Sequence, residues 1–299
     1  MENDRNSVLL DEDTTKQVVP KLEDTASSSS TTTSSSSTSS YYLDAMDETE
    51  VNTLVKNSRP ELVVLLGLNN FGKSTFAGSL YQLLRSRGQI GNYIFIDSET
   101  FIGWERRVYL RRIESEGPST TKRTIRGEKA FLHLKLQNVS TKQFFELVIS
   151  DGSGEAYNDY ISDDELIERD RTIAQADKLL LFVDSTQLYN RSYRKFKDNY
   201  TSLMHRLKGQ GKLPSNAMVC LIFNKTDLND TTIKDRTGRE DAIKSIVEDA
   251  FEGQDILVKK LDSKSLDKNQ NLEDFFISIL TPRDYKLDYS VIDWVNNDI

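Results

Sequence analysis

The sequence predicts an α/β fold of three layers, with helices on both faces of a mostly parallel, six-stranded sheet that holds one antiparallel strand. Three observations carry that expectation. Short runs that are apolar at nearly every position recur along the chain, at Val63–Leu66, Leu179–Val183 and Met218–Phe223. Such runs suit strands buried on both faces. Helix-period patterns fall between them, and that alternation builds a parallel sheet through helical crossovers. Phe131–Leu136 instead carries its leucines at every second position, and Phe144–Ile149 follows across a gap short enough for a hairpin.

Taken in order, Glu61–Leu66 forms the first strand and runs into a glycine-bearing loop. Phe76, Leu80, Leu83 and Leu84 then recur at helical spacing, and Tyr93–Ile96 reads as a short strand. Phe101, Trp104, Val108 and Ile113 describe a helical insert before the antiparallel strand, with Pro118 at or beyond its end. Leu166, Ile167, Ile173 and Ala176 mark one helix that feeds Leu179–Val183. Tyr193, Phe196, Tyr200, Leu203 and Leu207 line a long amphipathic helix stopped by Gly209 and Gly211. Ile243–Phe251 and Leu272–Leu280 read as helices on either side of a last strand, Ile256–Leu261.

The chain divides into three parts. Residues 1–55 are acidic and include an unbroken Ser/Thr run, Ser27–Ser40. So little apolar surface cannot offset the entropy of ordering, and a disordered arm is expected. Residues 56–283 form the domain, and residues 284–299 are a tail with Tyr289, Val291, Ile292 and Trp294, either a strap over the domain or a partner-docking peptide. The net charge of −8 argues against nucleic acid and anionic membranes as partners. One cysteine, Cys220, excludes an internal disulfide and fits a reducing compartment. There is no apolar run of membrane-spanning length and no signal pattern, so a cytoplasmic location is expected.

Two motifs carry the chemistry. Gly67-Leu68-Asn69-Asn70-Phe71-Gly72-Lys73-Ser74 fits G-x-x-x-x-G-K-S between a strand and a helix, the context such a loop requires. Its N–H groups would encircle phosphates, Lys73 would reach the β- and γ-phosphates, and the Ser74 hydroxyl would ligate Mg²⁺. Thr75, next on that turn, joins the phosphate-binding set. Asn224-Lys225-Thr226-Asp227, at the end of a buried strand, names the base. The Asp227 carboxylate can accept from guanine N1–H and the exocyclic amine together, a donor pair that adenine lacks. Lys225 can lay its stem over the base plane while Asn224 braces the phosphate loop. Between the two motifs, Asp151-Gly152-Ser153-Gly154 closes a strand, so Asp151 becomes the metal-side carboxylate and the Gly154 N–H meets the γ-phosphate. Ser263 and Lys264, after the last strand, stand where a backbone N–H would contact the guanine oxygen.

In motif order and spacing, Gly67–Lys264 resembles the Ras-like and translation-factor (TRAFAC) class of P-loop GTPases. Within that class it is most similar to the bacterial double-GTPase families associated with conflict and phage-defence gene clusters. Glu99–Arg107 resembles their insert, Asp151–Glu155 their third motif and Arg123-Thr124 their switch. The resemblance implies a P-loop GTPase fold, GTP and GDP as ligands, Mg²⁺ as cofactor and an effector protein that reads the switch segments. It also implies a switch threonine that caps Mg²⁺ from the loop before Phe131; Thr124 is assigned that role, with Thr121 and Thr120 as the other candidates.

The hydrolytic step stays open between two readings. Ras-like enzymes place a water-orienting Gln after the third motif's glycine, whereas this chain has Glu155. Glu155 either positions the attacking water or leaves a slow enzyme, a timer or an assembly subunit that holds GTP with little turnover. Arg123 or Arg126 serves as an internal arginine finger or as a solvated basic turn. Asn70 resembles the loop residue that coordinates K⁺ in cation-activated GTPases that dimerise through the G domain; otherwise it is a turn residue.

Overall fold

Val63, Val64, Leu65 and Leu66 are fully buried because β1 (Glu61–Leu66) lies inside the sheet, with parallel partners on both sides. The computed structural model describes residues 44–109, 129–228, 236–264 and 270–283. Around β1 run α2 (Lys73–Arg87), β2 (Gln89–Ile90), β3 (Tyr93–Asp97), α3 (Phe101–Val108), β4 (Lys129–Asn138) and β5 (Phe144–Gly152). Then come α4 (Gly154–Asp159), α5 (Asp164–Arg169), β6 (Lys178–Asp184), α6 (Ser185–Leu188) and α7 (Tyr193–Gly209). The chain ends with β7 (Met218–Asn224), α8 (Arg236–Ala250), β8 (Ile256–Lys260) and α9 (Gln270–Leu280).

The sheet order is β2-β3-β4-β5-β1-β6-β7-β8. The five strands from β5 to β8 are mutually parallel, and β4 lies antiparallel to β5 as the hairpin pattern implied. Eight strands rather than six make up this sheet, because β2 and β3 extend its antiparallel edge beyond β4. β6 is buried at all seven positions, which explains the unbroken apolar run Leu179–Val183 within it. Phe76 on α2 joins the sheet to α9, with ring centroids 5.4 Å from Phe182, 5.7 Å from Phe275 and 5.1 Å from Phe276. Cys220 sits within β7, and burial pushes its thiol up to about 12, so it behaves as a small apolar residue.

Two elements differ from expectation. The helix anticipated over Leu166–Ala176 is split into α5 and a 3-10 turn, Ile173–Gln175. Asp170 is the cause: its backbone is extended, and its carboxylate accepts from the Thr172 N–H at 2.7 Å, the Tyr160 hydroxyl at 2.5 Å and Lys129 Nζ at 3.0 Å. A side chain that bonds its own backbone two residues on competes with helix formation. The second is α1 (Glu48–Asn57), which crosses the boundary placed at residue 55. Asp47 and Glu50 form a reciprocal capping box at its start. Ahead of it, Met46 makes an antiparallel bridge to Phe131, and Val51 and Leu54 pack against Met46, Phe131 and Val148.

At the edge of the sheet remote from the glycine loop, the buried Lys178 Nζ donates to Glu61 Oε2 at 2.5 Å and to the Ile279 and Thr281 carbonyls at 2.8 Å. Glu61 also accepts the Arg283 N–H at 2.5 Å. This ion pair is saturated with partners and fastens the end of α9 to the first residue of β1. Among the described residues, no helix is long and apolar enough to cross a membrane.

Candidate functional site

The strands β1, β5, β7 and β8 deliver their C-terminal ends to one edge of the sheet, where an open α/β sheet places its ligands. Gly67 leaves β1 where an added Cβ would lie 2.9 Å from both the Cβ and the carbonyl of Phe182. Asn70 has φ 64° and Gly72 has φ 90°, so the loop turns twice through left-handed conformations before α2 begins. Asn is among the few side chains that tolerate that region. Gly72 gives α2 no side-chain cap, which leaves the helix N-terminus turned toward the loop.

Lys73 is buried, and its Nζ donates to the Gly67 carbonyl at 2.6 Å and the Leu68 carbonyl at 3.2 Å. The same nitrogen lies 5.5 Å from the centre of the Tyr157 ring. Burial lowers the Lys73 pKa to about 8, and the Asp151 carboxylate opposes that shift. Ser74 donates its hydroxyl to Asp151 Oδ1 at 2.8 Å, and Thr75 follows, half-buried, on the same turn. The pairing joins a hydroxyl and a carboxylate, oxygen donors of the kind Mg²⁺ takes in small number when phosphates complete its shell, so the residues fit that ion. Asp151 is fully buried at the end of β5, and its Oδ2 accepts from Arg107 Nε at 2.8 Å.

Gly154 opens α4 pressed on the phosphate loop: a Cβ there would lie 2.6 Å from Asn69 N and Cα. Only hydrogen fits that approach. Glu155, next in the chain, is half-buried, and its N–H is capped by Ser153 Oγ at 3.2 Å.

Asn224 holds three loops together. Its Nδ2 donates to the Phe71 carbonyl at 2.9 Å, and its Oδ1 accepts from the Ser263 N–H at 3.1 Å and hydroxyl at 2.8 Å. Lys225 takes φ 60°, and its Nζ reaches Asp184 Oδ2 at 2.6 Å. Asp227 stands exposed in the turn Thr226–Leu228. Lys264 is exposed, and its N–H is held by Asp262 at 3.0 Å.

The structure therefore brings Gly67, Asn70, Gly72, Lys73, Ser74 and Thr75 to one edge with Asp151, Gly154 and Glu155. Asn224, Lys225, Asp227, Ser263 and Lys264 lie on the same edge. Thr124, Thr120, Thr121, Arg123 and Arg126 lie outside the described residues. Two participants escaped the sequence reading. Arg107 follows Trp104 by three positions on α3, so a charge one turn from a buried tryptophan was its available signal. Asp184 follows the apolar run Leu179–Val183 and lies in register with Asn224, and nothing in the local sequence pairs it with Lys225.

A family model described as Double-GTPase 2 matches residues 61–281. The chain belongs to that family. With the phosphate loop in place, the Double-GTPase 2 domain is a P-loop GTPase by family. None of the curated proteins matches it. Among solved structures, it is similar to translation elongation factor SelB from Methanococcus maripaludis in complex with the GTP analogue GppNHp. The identity is 14%, the match covers 75% of this chain and 34% of that one, and the TM-score is 0.41. It is also similar to the small GTPase Arl6 from Trypanosoma brucei with a bound nucleotide analogue, at 10% identity and a TM-score of 0.37, covering 74% of this chain and 96% of that one. The Double-GTPase 2 chain thus spans about a third of the SelB chain it matches.

Proposed function

We propose that this Double-GTPase 2 protein binds GTP with Mg²⁺, hydrolyses it to GDP and acts as a molecular switch read by an effector protein. The observation that carries the reading is the Asn224 junction, which ties the guanine motif to the phosphate loop at Phe71 and to Ser263. In this reading Asp227 pairs with the guanine N1–H and amine, Lys225 covers the base, and the loop after β8 faces the guanine oxygen. Lys73 and the N–H groups of the Gly67 loop hold the phosphates, while Ser74 and Asp151 hold Mg²⁺. Held by Ser74 and Asp151, that ion would supply charge neutralisation for the phosphates. Thr124 would cap it from the switch loop. The negative net charge supports a protein partner over nucleic acid or a membrane surface, and the single cysteine fits a reducing, cytoplasmic setting. A role in bacterial conflict or phage defence rests on the family resemblance alone.

Glu155 favours a second reading, a GTP-binding assembly subunit with little turnover. A carboxylate directly after the γ-phosphate glycine is repelled by the γ-phosphate unless Mg²⁺, a Lys or a K⁺ ion offsets the charge. Single-turnover GTP hydrolysis by wild type and Glu155→Gln separates the readings. Gln supplies the Ras-like water contact, so a faster rate in that variant favours the assembly subunit. Glu155→Ala, which removes any water contact, should lose at least about tenfold if Glu155 positions the water, and an unchanged rate in it sinks that role. Partner capture with a GTP analogue against GDP tests the switch itself, and identical partner sets would sink it. Replacing K⁺ by Na⁺ tests Asn70 as a cation ligand, for which its exposed left-handed turn position alone is also a sufficient account.

A further inference from the structure

The insert helix α3 points a cation at the carboxylate that the reading above gives to Mg²⁺. Arg107 Nε donates to Asp151 Oδ2 at 2.8 Å while Ser74 holds Oδ1, and the guanidinium is itself largely buried, its side chain only 11% exposed. Its Nη1 is braced on the Gly103 carbonyl at 3.1 Å. Further contacts hold α3 in this position. Trp104 is fully buried, stacks on Tyr81 at 5.2 Å with planes 7° apart, and donates its indole N–H to the His133 carbonyl at 2.8 Å. Gly103 packs so closely on the segment before α1 that a Cβ would lie 2.7 Å from Ala45 N.

We propose that Arg107 competes with Mg²⁺ for Asp151, so that α3 closes on the nucleotide site when the metal leaves and is released when the metal arrives. A divalent ion bound beside Asp151 repels a guanidinium on the same carboxylate, so each is held less tightly while the other is present. Arg107 is thereby a positioning residue that sets how much Mg²⁺ the nucleotide complex needs, and α3 carries the metal state away from the site. The inference rests on the proposed assignment of Asp151 to Mg²⁺.

The test uses full-length protein loaded with fluorescent GDP, with its release followed across a Mg²⁺ titration. Arg107→Gln is expected to lower the Mg²⁺ concentration for half-maximal retention about tenfold, the scale of one charge-assisted hydrogen bond. Arg106→Gln, an exposed neighbour paired with Asp44, should leave it unchanged. In a Trp294→Phe background, Mg²⁺ addition should shift Trp104 emission in the GDP complex, and Arg107→Gln should abolish that shift. Arg107→Lys keeps the charge on a different reach and should move the Mg²⁺ requirement the same way by less, which preserves the test if the Gln variant does not fold. An unchanged or higher requirement in the Arg107 variants, or Trp104 emission blind to Mg²⁺ in the parent, overturns the proposal while the GTP reading stands. Failure of the wild type to retain any guanine nucleotide overturns both.

Discussion

Asn224 donates its side-chain amide to the Phe71 carbonyl at 2.9 Å, so the residue that ends β7 supports the loop that follows β1. Its oxygen is used at the same time by both donors of Ser263. Asn224→Ala leaves the Phe71 and Ser263 groups without their partner in a buried setting. The expected loss is about 2 kcal/mol of stability, with GDP affinity falling at least tenfold in the same variant. Urea unfolding and nucleotide titration check the pair of effects. Lost affinity at full stability would show that the brace contributes only when nucleotide is present.

Gly154 and Gly88 should respond in opposite ways to alanine. A Cβ at Gly154 would meet Asn69 backbone at 2.6 Å, whereas one at Gly88 has nothing within 4 Å. Gly154→Ala must push α4 off the phosphate loop and should impair nucleotide binding. Gly88→Ala bears only the strain of its φ of 70° at the end of α2, about 1 kcal/mol, with nucleotide affinity intact. Equal nucleotide affinities in the two variants would refute the close approach at Gly154.

Lys178→Met strands the Glu61 carboxylate and two carbonyls in the interior. Removing one partner of a buried ion pair typically costs about 3–5 kcal/mol. The double variant Lys178→Met with Glu61→Leu should recover part of that loss, since it removes the abandoned charge as well. A denaturant series on the three variants decides this, and simple additivity would mean that the pair is not coupled.

His133 makes stability sensitive to mild acid. Its Nδ1 accepts the Glu99 N–H at 3.0 Å, so the neutral ring carries its proton on Nε2, which lies 3.7 Å from Glu146 Oε2. Burial lowers the His133 pKa, and Glu146, Glu99 and Asp97 oppose the shift only in part. The unfolded chain takes up this proton near pH 6.5 and the folded chain only at lower pH. Stability is therefore present above about pH 6.5 and is lost as pH falls toward the folded value, with a slope of at most about 1.4 kcal/mol per unit. Melting temperatures between pH 5 and 7.5 should show the decline, and His133→Asn, which retains an acceptor, should flatten it. The same slope in both proteins would assign the acid sensitivity elsewhere.

The parallel half of the sheet was legible because burial on both faces writes itself as unbroken apolar runs such as Leu179–Val183. The phosphate loop and guanine motif were legible because their backbone and ligand demands restrict residue type at fixed spacing. What stayed hidden depended on contacts distant in sequence. β2 is two residues long and has no period to detect. The break at Asp170, where its carboxylate takes the Thr172 N–H, is reinforced by Tyr160 and Lys129 from other elements. α1 is polar enough to pass for part of the arm, and it is ordered by a capping box and by Met46 on Phe131. Arg107 and Asp184 reach their partners only through the fold, across 44 and 41 positions of chain.

The bridge from Met46 to Phe131 has a mechanical consequence. Phe131 stands opposite Ser150 in the β4–β5 ladder, and the adjacent rung pairs Ala130 with Asp151. A pull on the chain ahead of Asp44 meets the Asp44–Arg106 ion pair and then the Met46–Phe131 hydrogen bonds at 2.9 and 3.0 Å, which lead to β4. The next rung to bear that load holds the carboxylate that Ser74 and Arg107 share. Tension on the N-terminal segment is thus delivered within one residue of the metal side of the site.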